Sequence, residues 1–226
     1  MTVVSAPPTT TLEASGVRRS FGRTLALVDA GISVGAGEVV AIMGPSGSGK
    51  STLLHCLAGI LVPDAGRIVY DGHDVTRMSD AERSALRRRD FGFVFQFGQL
   101  VPELTCLENV AMPLRLDGTR RRAPEGRAGQ LLERLEVADV ARSTPGRVSG
   151  GQGQRVAVAR ALVTRPRVVF ADEPTGALDS LNGERVMELL VAVARETDAA
   201  VVLVTHEARV AAYAHREVVV RDGRTT

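Results

Sequence analysis

Apolar residues in this chain come in short runs that alternate with segments of helical periodicity. The runs have the length of strands and are rich in valine and isoleucine, as buried strands are. Between them, apolar residues recur every three or four positions, which is typical of helices that cover a sheet. Strands are predicted at 39–43, 68–70, 91–95, 168–171, 201–205 and 218–220, and helices at 51–57, 128–135, 152–163 and 183–195. This alternation predicts an α/β fold with a mainly parallel sheet.

Parts of the chain depart from the alternation. Residues 1–10 are rich in proline and threonine and predict a frayed tail. The stretch 102–160 carries helical signals and no convincing strand, which predicts a helical insertion. The arginine runs 87–89 and 120–122 have acidic residues around them, and we interpret both as solvated faces rather than contacts to an anionic partner.

Length and composition exclude several classes of protein. The 226 residues, 44% of them hydrophobic, are enough for one domain with its own core. Two cysteines, Cys56 and Cys106, are too few for a secreted disulfide framework and lack metal-ligand spacing, which favours a reducing cytoplasm. No stretch approaches the roughly 20 apolar residues of a membrane span, and the start of the chain lacks a secretion signal. A net charge of +2 gives no reason to expect nucleic acid as a partner.

A glycine-rich segment between a predicted strand and a predicted helix has the chemistry of a phosphate site. Its glycines let successive backbone N–H groups curl around a phosphate, and the helix directs its positive dipole end toward it. Lys50 is the only lysine in the chain, which suggests a position that needs a compact charge rather than a guanidinium fork. We expect Lys50 to reach the β- and γ-phosphates of a nucleoside triphosphate and the Ser51 hydroxyl to ligate Mg²⁺. The predicted nucleotide contacts here are Gly44, Pro45, Ser46, Gly47, Ser48, Gly49, Lys50, Ser51 and Thr52.

This motif, G-x-x-x-x-G-K-S, is specific for nucleoside triphosphates but not for one reaction. A plain glycine-rich turn is the structural alternative. By itself the motif leaves kinases, GTPases, helicases and transport ATPases open.

Two carboxylates follow the predicted strand at 168–171. An acidic residue at the end of a neighbouring buried strand is what a phosphate loop requires to hold Mg²⁺. We expect Asp172 to ligate the metal, and Glu173 to act as the general base that polarises the attacking water. The alternative is a solvated acidic turn.

The segment Val148-Ser149-Gly150-Gly151-Gln152, between the glycine-rich loop and the acidic strand, resembles the signature of the ATP-binding-cassette (ABC) ATPases. A serine and two glycines at a helix start make a second anion site. In that family the signature of one subunit closes over the ATP bound by another. The resemblance therefore implies that Ser149, Gly150, Gly151 and Gln152 contact nucleotide in trans, within a homodimer or a heterodimer with a related cassette.

Other family positions can be matched along the chain. Phe21 stands where the family places an aromatic that stacks on adenine, although a core aromatic is the alternative. Gln96 matches the glutamine that touches Mg²⁺ or the attacking water. Asp179, in Ala177-Leu178-Asp179, matches the loop that communicates across the dimer. His206 matches the histidine that contacts the γ-phosphate, although it could merely cap the next helix.

The resemblance implies a P-loop NTPase (RecA-like) core with an antiparallel β-subdomain and an inserted α-helical subdomain. One domain would span residues 11–226, with the core and β parts at about 11–98 and 161–226 and the helical subdomain at about 99–160. The cofactors implied are ATP and Mg²⁺. The catalytic residues implied are Lys50, Glu173 and His206.

Residues 95–110 and 172–179 look most like the subfamily that serves lipoprotein release, macrolide export and antimicrobial-peptide resistance. Members pair with a separate transmembrane permease, so the resemblance implies a cytoplasmic protein held peripherally at the inner face of the cell membrane. Two alternatives stay open: a non-transporting regulator of a membrane complex, of the cell-division type, and a soluble ABC ATPase acting on DNA or the ribosome.

Overall fold

The structure is a computed structural model that describes residues 10–117 and 122–226. Thr10 already belongs to the first strand, and the rest of the expected tail lies outside the described residues. Arg120 and Arg121 of the second arginine run also lie outside them.

Strands and helices occupy most of the described chain. The strands are β1 Thr10–Phe21, β2 Thr24–Gly35, β3 Val39–Met43, β4 Ala65–Tyr70, β5 His73–Asp74, β6 Phe91–Phe95, β7 Val168–Asp172, β8 Ala200–Val204, β9 Arg216–Arg221 and β10 Arg224–Thr225. The helices are α1 Lys50–Leu57, α2 Asp80–Asp90, α3 Cys106–Leu116, α4 Arg122–Arg134, α5 Gly150–Leu162, α6 Ser180–Glu196 and α7 Ala208–Ala211. Every predicted element is present. The pattern did not predict β1, β2, β5, β10, α2 and α7, and it indicated α3 only through the helical signals of 102–160.

The strands form one sheet with two kinds of pairing. Its order is β5-β4-β1-β2-β10-β9-β3-β8-β7-β6. β9, β3, β8, β7 and β6 pair in parallel, while β1 pairs antiparallel with both β2 and β4. The parallel core and the antiparallel β-subdomain expected from the sequence are therefore both present.

Alternate residues of the central strands face two separate cores. In β7, Val169 and Ala171 pack toward α3, α4, α5 and α6, whereas Val168 and Phe170 pack toward α1 and the antiparallel strands. All four side chains are at most 1% exposed. Because both faces of these strands are covered, their sequences are continuous apolar runs.

The inserted segment is helical where the structure describes it. Between 99 and 160 it contains α3, α4 and most of α5. The exact limits of the helical subdomain stay a prediction.

The interpretation of residues 87–89 as a solvated face was wrong for one of the three. Arg88 and Arg89 are exposed, but Arg87 is half-buried on α2 and donates to the carbonyl of Gly59 at 2.6 Å. Burial and nearby cations lower the pKa of the Arg87 guanidinium. This side chain therefore ties α2 to the end of α1.

Candidate nucleotide site

The glycine-rich loop connects β3 to α1, in a conformation that needs its glycines. Gly44, Gly47 and Gly49 all have positive φ angles, of 146°, 77° and 106°. A Cβ at Gly44 would lie 2.1 Å from the carbonyl oxygen of Val220, and one at Gly49 would lie 2.3 Å from that of Ala26. Both distances exclude any larger residue, so these contacts fix the loop as a narrow cradle.

The cradle holds polar groups suited to phosphate. Lys50 is 8% exposed, and its ammonium donates to the carbonyls of Gly44 at 2.9 Å and Pro45 at 2.8 Å. The Ser48 hydroxyl is buried without a hydrogen-bond partner in the described chain. An orphaned hydroxyl and an inward-turned ammonium fit a triphosphate oxygen as a shared partner.

The acidic strand end meets the cradle. The Ser51 hydroxyl donates to Asp172 Oδ1 at 3.0 Å. Among the described residues, no three His, Cys, Asp or Glu side chains cluster as a protein-only metal cage. A hydroxyl beside a single carboxylate is instead the type of oxygen donor set that Mg²⁺ uses when phosphates complete its coordination.

Glu173 is held in an unusual backbone conformation beside His206. Its φ angle is 49°, and its N–H donates to the carbonyl of Val204 on β8 at 2.9 Å. Its Oε1 lies 2.8 Å from Nδ1 of His206, so the carboxylate and the imidazole form a hydrogen-bonded pair. The glutamate side chain is 19% exposed and the imidazole 62%. A non-glycine residue at positive φ stores strain of the kind found at functional sites.

Gln96 follows the strand that pairs with β7. In that pairing Phe95 is opposite Asp172, so Gln96 and Glu173 are the residues that follow the two neighbouring strand ends. The Gln96 amide packs over Gly176, where an added Cβ would lie 2.8 Å from Nε2. Gly176 therefore leaves the space that Gln96 occupies.

The signature segment begins α5 at the protein surface. Ser149 caps the helix, its hydroxyl accepting from the Gln152 N–H at 3.2 Å, while its own N–H donates to Gln152 Oε1 at 3.0 Å. Ser149 and Gly150 are exposed. An exposed helix start is open to an anion from another molecule.

Asp179 connects to the signature through Asn182. The Asp179 carboxylate accepts from the Asn182 N–H at 3.0 Å and from its Nδ2 at 2.7 Å, and these bonds lower the pKa of Asp179. Asn182 Oδ1 is 2.6 Å from where a Cβ of Gly151 would lie. In the described chain, no hydrogen bond joins Ser149 or Asp179 to the cradle.

Phe21 ends β1 and is 48% exposed, so it is not a core aromatic. The guanidinium of Arg19 lies 5.1 Å from its ring centroid and is itself bound to Asp64 at 2.8 Å. The paired strand β2 contacts the cradle through Ala26. The half-exposed ring suits stacking on a base.

Three polar residues that contact these loops were missed by the sequence reasoning. They are Gln154 and Arg160 on α5, and Asn182 on α6. Gln154 was detectable, because it falls on the apolar face of α5 that also carries Ala157 and Val158. Arg160 and Asn182 gave no such signal, since arginine and asparagine are ordinary near helix ends.

Comparison with known proteins gives a consistent assignment. The profile of the ABC transporter family matches residues 27–176. The lipoprotein-releasing system ATP-binding protein LolD of Bordetella pertussis is 48% identical over 198 residues, 88% of this chain and 86% of that protein. The macrolide export ATP-binding/permease protein MacB 1/2 of Paracoccus denitrificans is 47% identical over 92% of this chain, a match that covers 32% of MacB.

Solved structures agree with these sequence matches. The dimeric ATP-binding cassette MJ0796, in a post-hydrolysis state bound to ADP and Pi, superposes with a TM-score of 0.87 at 38% identity, covering 95% of this chain and 96% of that one. The cassette cbiO1 of Clostridium perfringens superposes with a TM-score of 0.87 at 29% identity, covering 96% and 87%. The chain belongs to the ABC transporter family, as one of its ATPase cassettes.

Proposed function

We propose that this cassette hydrolyses MgATP to power a separate membrane permease of the lipoprotein-release or macrolide-export kind. The observation that carries the proposal is the meeting of four parts at one sheet edge: the cradle with Lys50, the Ser51–Asp172 contact, the Glu173–His206 pair and Gln96. The names of the relatives LolD and MacB support the choice of subfamily.

Ser51 and Asp172 would hold Mg²⁺ together with Gln96. When bound, Mg²⁺ neutralises charge on the β- and γ-phosphate oxygens and fixes their geometry. Lys50 binds the same phosphates with its ammonium, which keeps the triphosphate in the cradle.

Glu173 is the general base in this proposal. Its Oε1 lies 2.8 Å from His206 Nδ1. From its position directly after Asp172, the carboxylate would polarise a water in line with the γ-phosphate. The opposite ring nitrogen of His206, Nε2, is the atom we assign to the γ-phosphate, to which it donates when it carries a proton. One imidazole thus orients both the general base and the γ-phosphoryl group, which is transferred to water as ADP leaves.

The complete site needs a second cassette. Ser149, Gly150, Gly151 and Gln152 would close over the nucleotide in the cradle of a partner, and Asp179 would link the two sites. The exposed capped start of α5 supports this assignment, as does the dimeric state of the cassette MJ0796.

The permease would hold the cassette at the inner face of the membrane. No helix in the described parts of the chain is long and apolar enough to cross a membrane. A groove of about 530 Å³ lies between α2, β6 and α3, with Phe91, Phe93 and Leu116 in its apolar lining and Arg87, Arg88 and Arg160 as its charged residues. We assign this groove to the cytoplasmic element of the permease.

Capture on the Glu173→Gln variant tests the proposal. The amide cannot accept a proton, so the variant should bind ATP and dimerise but hydrolyse at least about a hundredfold more slowly. Purified from membranes with and without MgATP, it is expected to retain a permease with a large extracytoplasmic domain, identified by mass spectrometry.

Other results separate the alternatives. Unchanged turnover of Glu173→Gln would remove the general-base role. Recovery of ribosomal or DNA-bound proteins without a membrane protein would overturn the transport role. Recovery of a cell-division membrane complex would favour the non-transporting regulator.

A further inference from the structure

Helix α5 reaches the Gln96 loop, which we define as residues 96–100, with two side chains. Its first turn carries the signature residues capped by Ser149. Farther along, Gln154 and Arg160 hydrogen-bond to backbone carbonyls on either side of Gln96. The same helix therefore carries the signature at its start and holds the Gln96 loop farther along.

Gln154 bridges the ends of two strands. It is 3% exposed, and its Nε2 donates to the carbonyl of Phe95 at 2.8 Å and to that of Pro174 at 2.7 Å. Phe95 immediately precedes Gln96, and Pro174 immediately follows Glu173. Both amide hydrogens are used, so an apolar side chain of the same size would leave two inward-facing carbonyls without these donors.

Arg160 holds the far side of the loop. Its Nη1 donates to the carbonyl of Gln99 at 2.6 Å and its Nη2 to that of Gly98 at 2.7 Å. Among the described residues, no carboxylate lies within 4.0 Å of the Arg160 guanidinium, and its two hydrogen bonds go to these carbonyls. A lysine at this position would have one ammonium instead of two parallel donors.

We propose that Gln154 and Arg160 are positioning residues that set Gln96 according to the position of the signature. This inference rests on the proposed function. When Ser149 closes on the partner's nucleotide, a shift of α5 would be transmitted through these side chains to the carbonyls of residues 95, 98 and 99. Gln96 lies between these carbonyls. Closure of the signature over the partner's ATP would therefore set the position of Gln96 in the chain's own ATP site.

Hydrogen exchange in the nucleotide-free protein tests the contacts directly. Gln154→Met and Arg160→Lys should each speed amide exchange in residues 96–100 by about tenfold, since each removes a restraint on local opening. The matched controls are Gln130→Met on the exposed face of α4 and Arg195→Lys at the exposed end of α6. Arg160→Lys preserves the test if the buried Gln154→Met variant fails to fold. Unchanged exchange in Arg160→Lys would overturn the inference.

A double-mutant cycle with Gln96→Ala tests whether Gln154 and Arg160 affect turnover through Gln96. Each α5 variant should lower kcat about tenfold and leave the KM for ATP within about twofold of the wild-type value. This is the expected effect of losing a contact that positions a ligating residue. Added to Gln96→Ala, it should cause little further loss. Additive losses would overturn the inference and leave the proposed function intact, whereas undiminished ATP turnover in Lys50→Ala would overturn the proposed function itself.

Discussion

Lys50 occupies a place that fits a compact cation. The cradle around it is closed by the Val220 and Ala26 carbonyls, which approach the glycines too closely for any side chain. The ammonium fits by donating to two adjacent carbonyls less than 3 Å away. A guanidinium is broader and planar, so it cannot reach the same point without opening the loop.

Lys50→Arg should therefore weaken ATP binding even though the charge is kept. We expect a loss of roughly tenfold or more, which corresponds to one charge-assisted hydrogen bond of about 1.5–3 kcal/mol. Calorimetric titration with ATP measures it, with Arg195→Lys on the surface of α6 as the control. Wild-type affinity in Lys50→Arg would contradict the argument.

Gly176→Ala tests whether Gly176 serves to position the Gln96 side chain or to stabilise the fold. The new methyl group would meet the flexible end of Gln96, so the side chain moves while the backbone stays. We expect normal thermal stability and ATP affinity with kcat lowered about tenfold. Gly146→Ala, which meets nothing within 4 Å, is the control. A fall in stability with unchanged kcat would show that Gly176 serves packing instead.

At the scale of elements, the spacing of buried residues explains which strands could be predicted from the sequence and which could not. The central strands were evident because burial on both faces makes them continuous apolar runs. β1 and β2 were hidden because their buried positions change phase, from Leu12 and Ala14 to Val17 and from Leu27 to Ala30, where the pairing register shifts. At a β-bulge the buried apolar residues switch between even and odd positions, so a search for strict alternation misses the strand.

Helix α2 was hidden for a different reason. Leu86 is its one buried residue among those described, so no apolar stripe marks it. Its signal is the capping box between Ser79 and Glu82, with hydrogen bonds of 3.3 and 2.7 Å. Local capping, rather than amphipathicity, was the readable feature.

Helix α4 has room for stabilisation. Gly126 and Gly129 lie in its interior, and a Cβ at either would meet nothing within 4 Å. Replacing both with alanine should raise the free energy of unfolding by about 1–2 kcal/mol, because each glycine costs about 0.5–1 kcal/mol in a helix. Urea denaturation measures this.

Gly72→Ala should change the free energy of unfolding in the opposite direction. A Cβ at Gly72 would also meet nothing within 4 Å, but the φ angle of this residue is +78°. Alanine there should lower stability by about 1–2 kcal/mol. If the α4 and Gly72 substitutions changed the free energy of unfolding equally, helix propensity would not be the cause of the change.

At the scale of the whole molecule, the cradle and the signature lie in separate segments of the chain, and no hydrogen bond joins them among the residues that the structure describes. The cradle sits where β3 meets α1, whereas Ser149 starts a helix of the inserted segment. No backbone pattern in a single sequence reports a contact between two chains. The trans assignment of Ser149–Gln152 therefore depends on family resemblance and on the exposed start of α5. It is tested best by a change of charge that leaves the fold intact.

Ser149→Asp makes that change. Aspartate caps a helix as well as serine does and is favoured by the helix dipole, so α5 should stay intact. The added carboxylate would face the triphosphate of the partner, so in the Glu173→Gln background MgATP should no longer produce a dimer in sedimentation experiments. Ser79→Asp changes the cap of α2, which has the same capping-box geometry, and should leave dimerisation unchanged. A full dimer with Ser149→Asp would mean that the signature does not face nucleotide across the interface, and the cassette would have to complete its site within one chain.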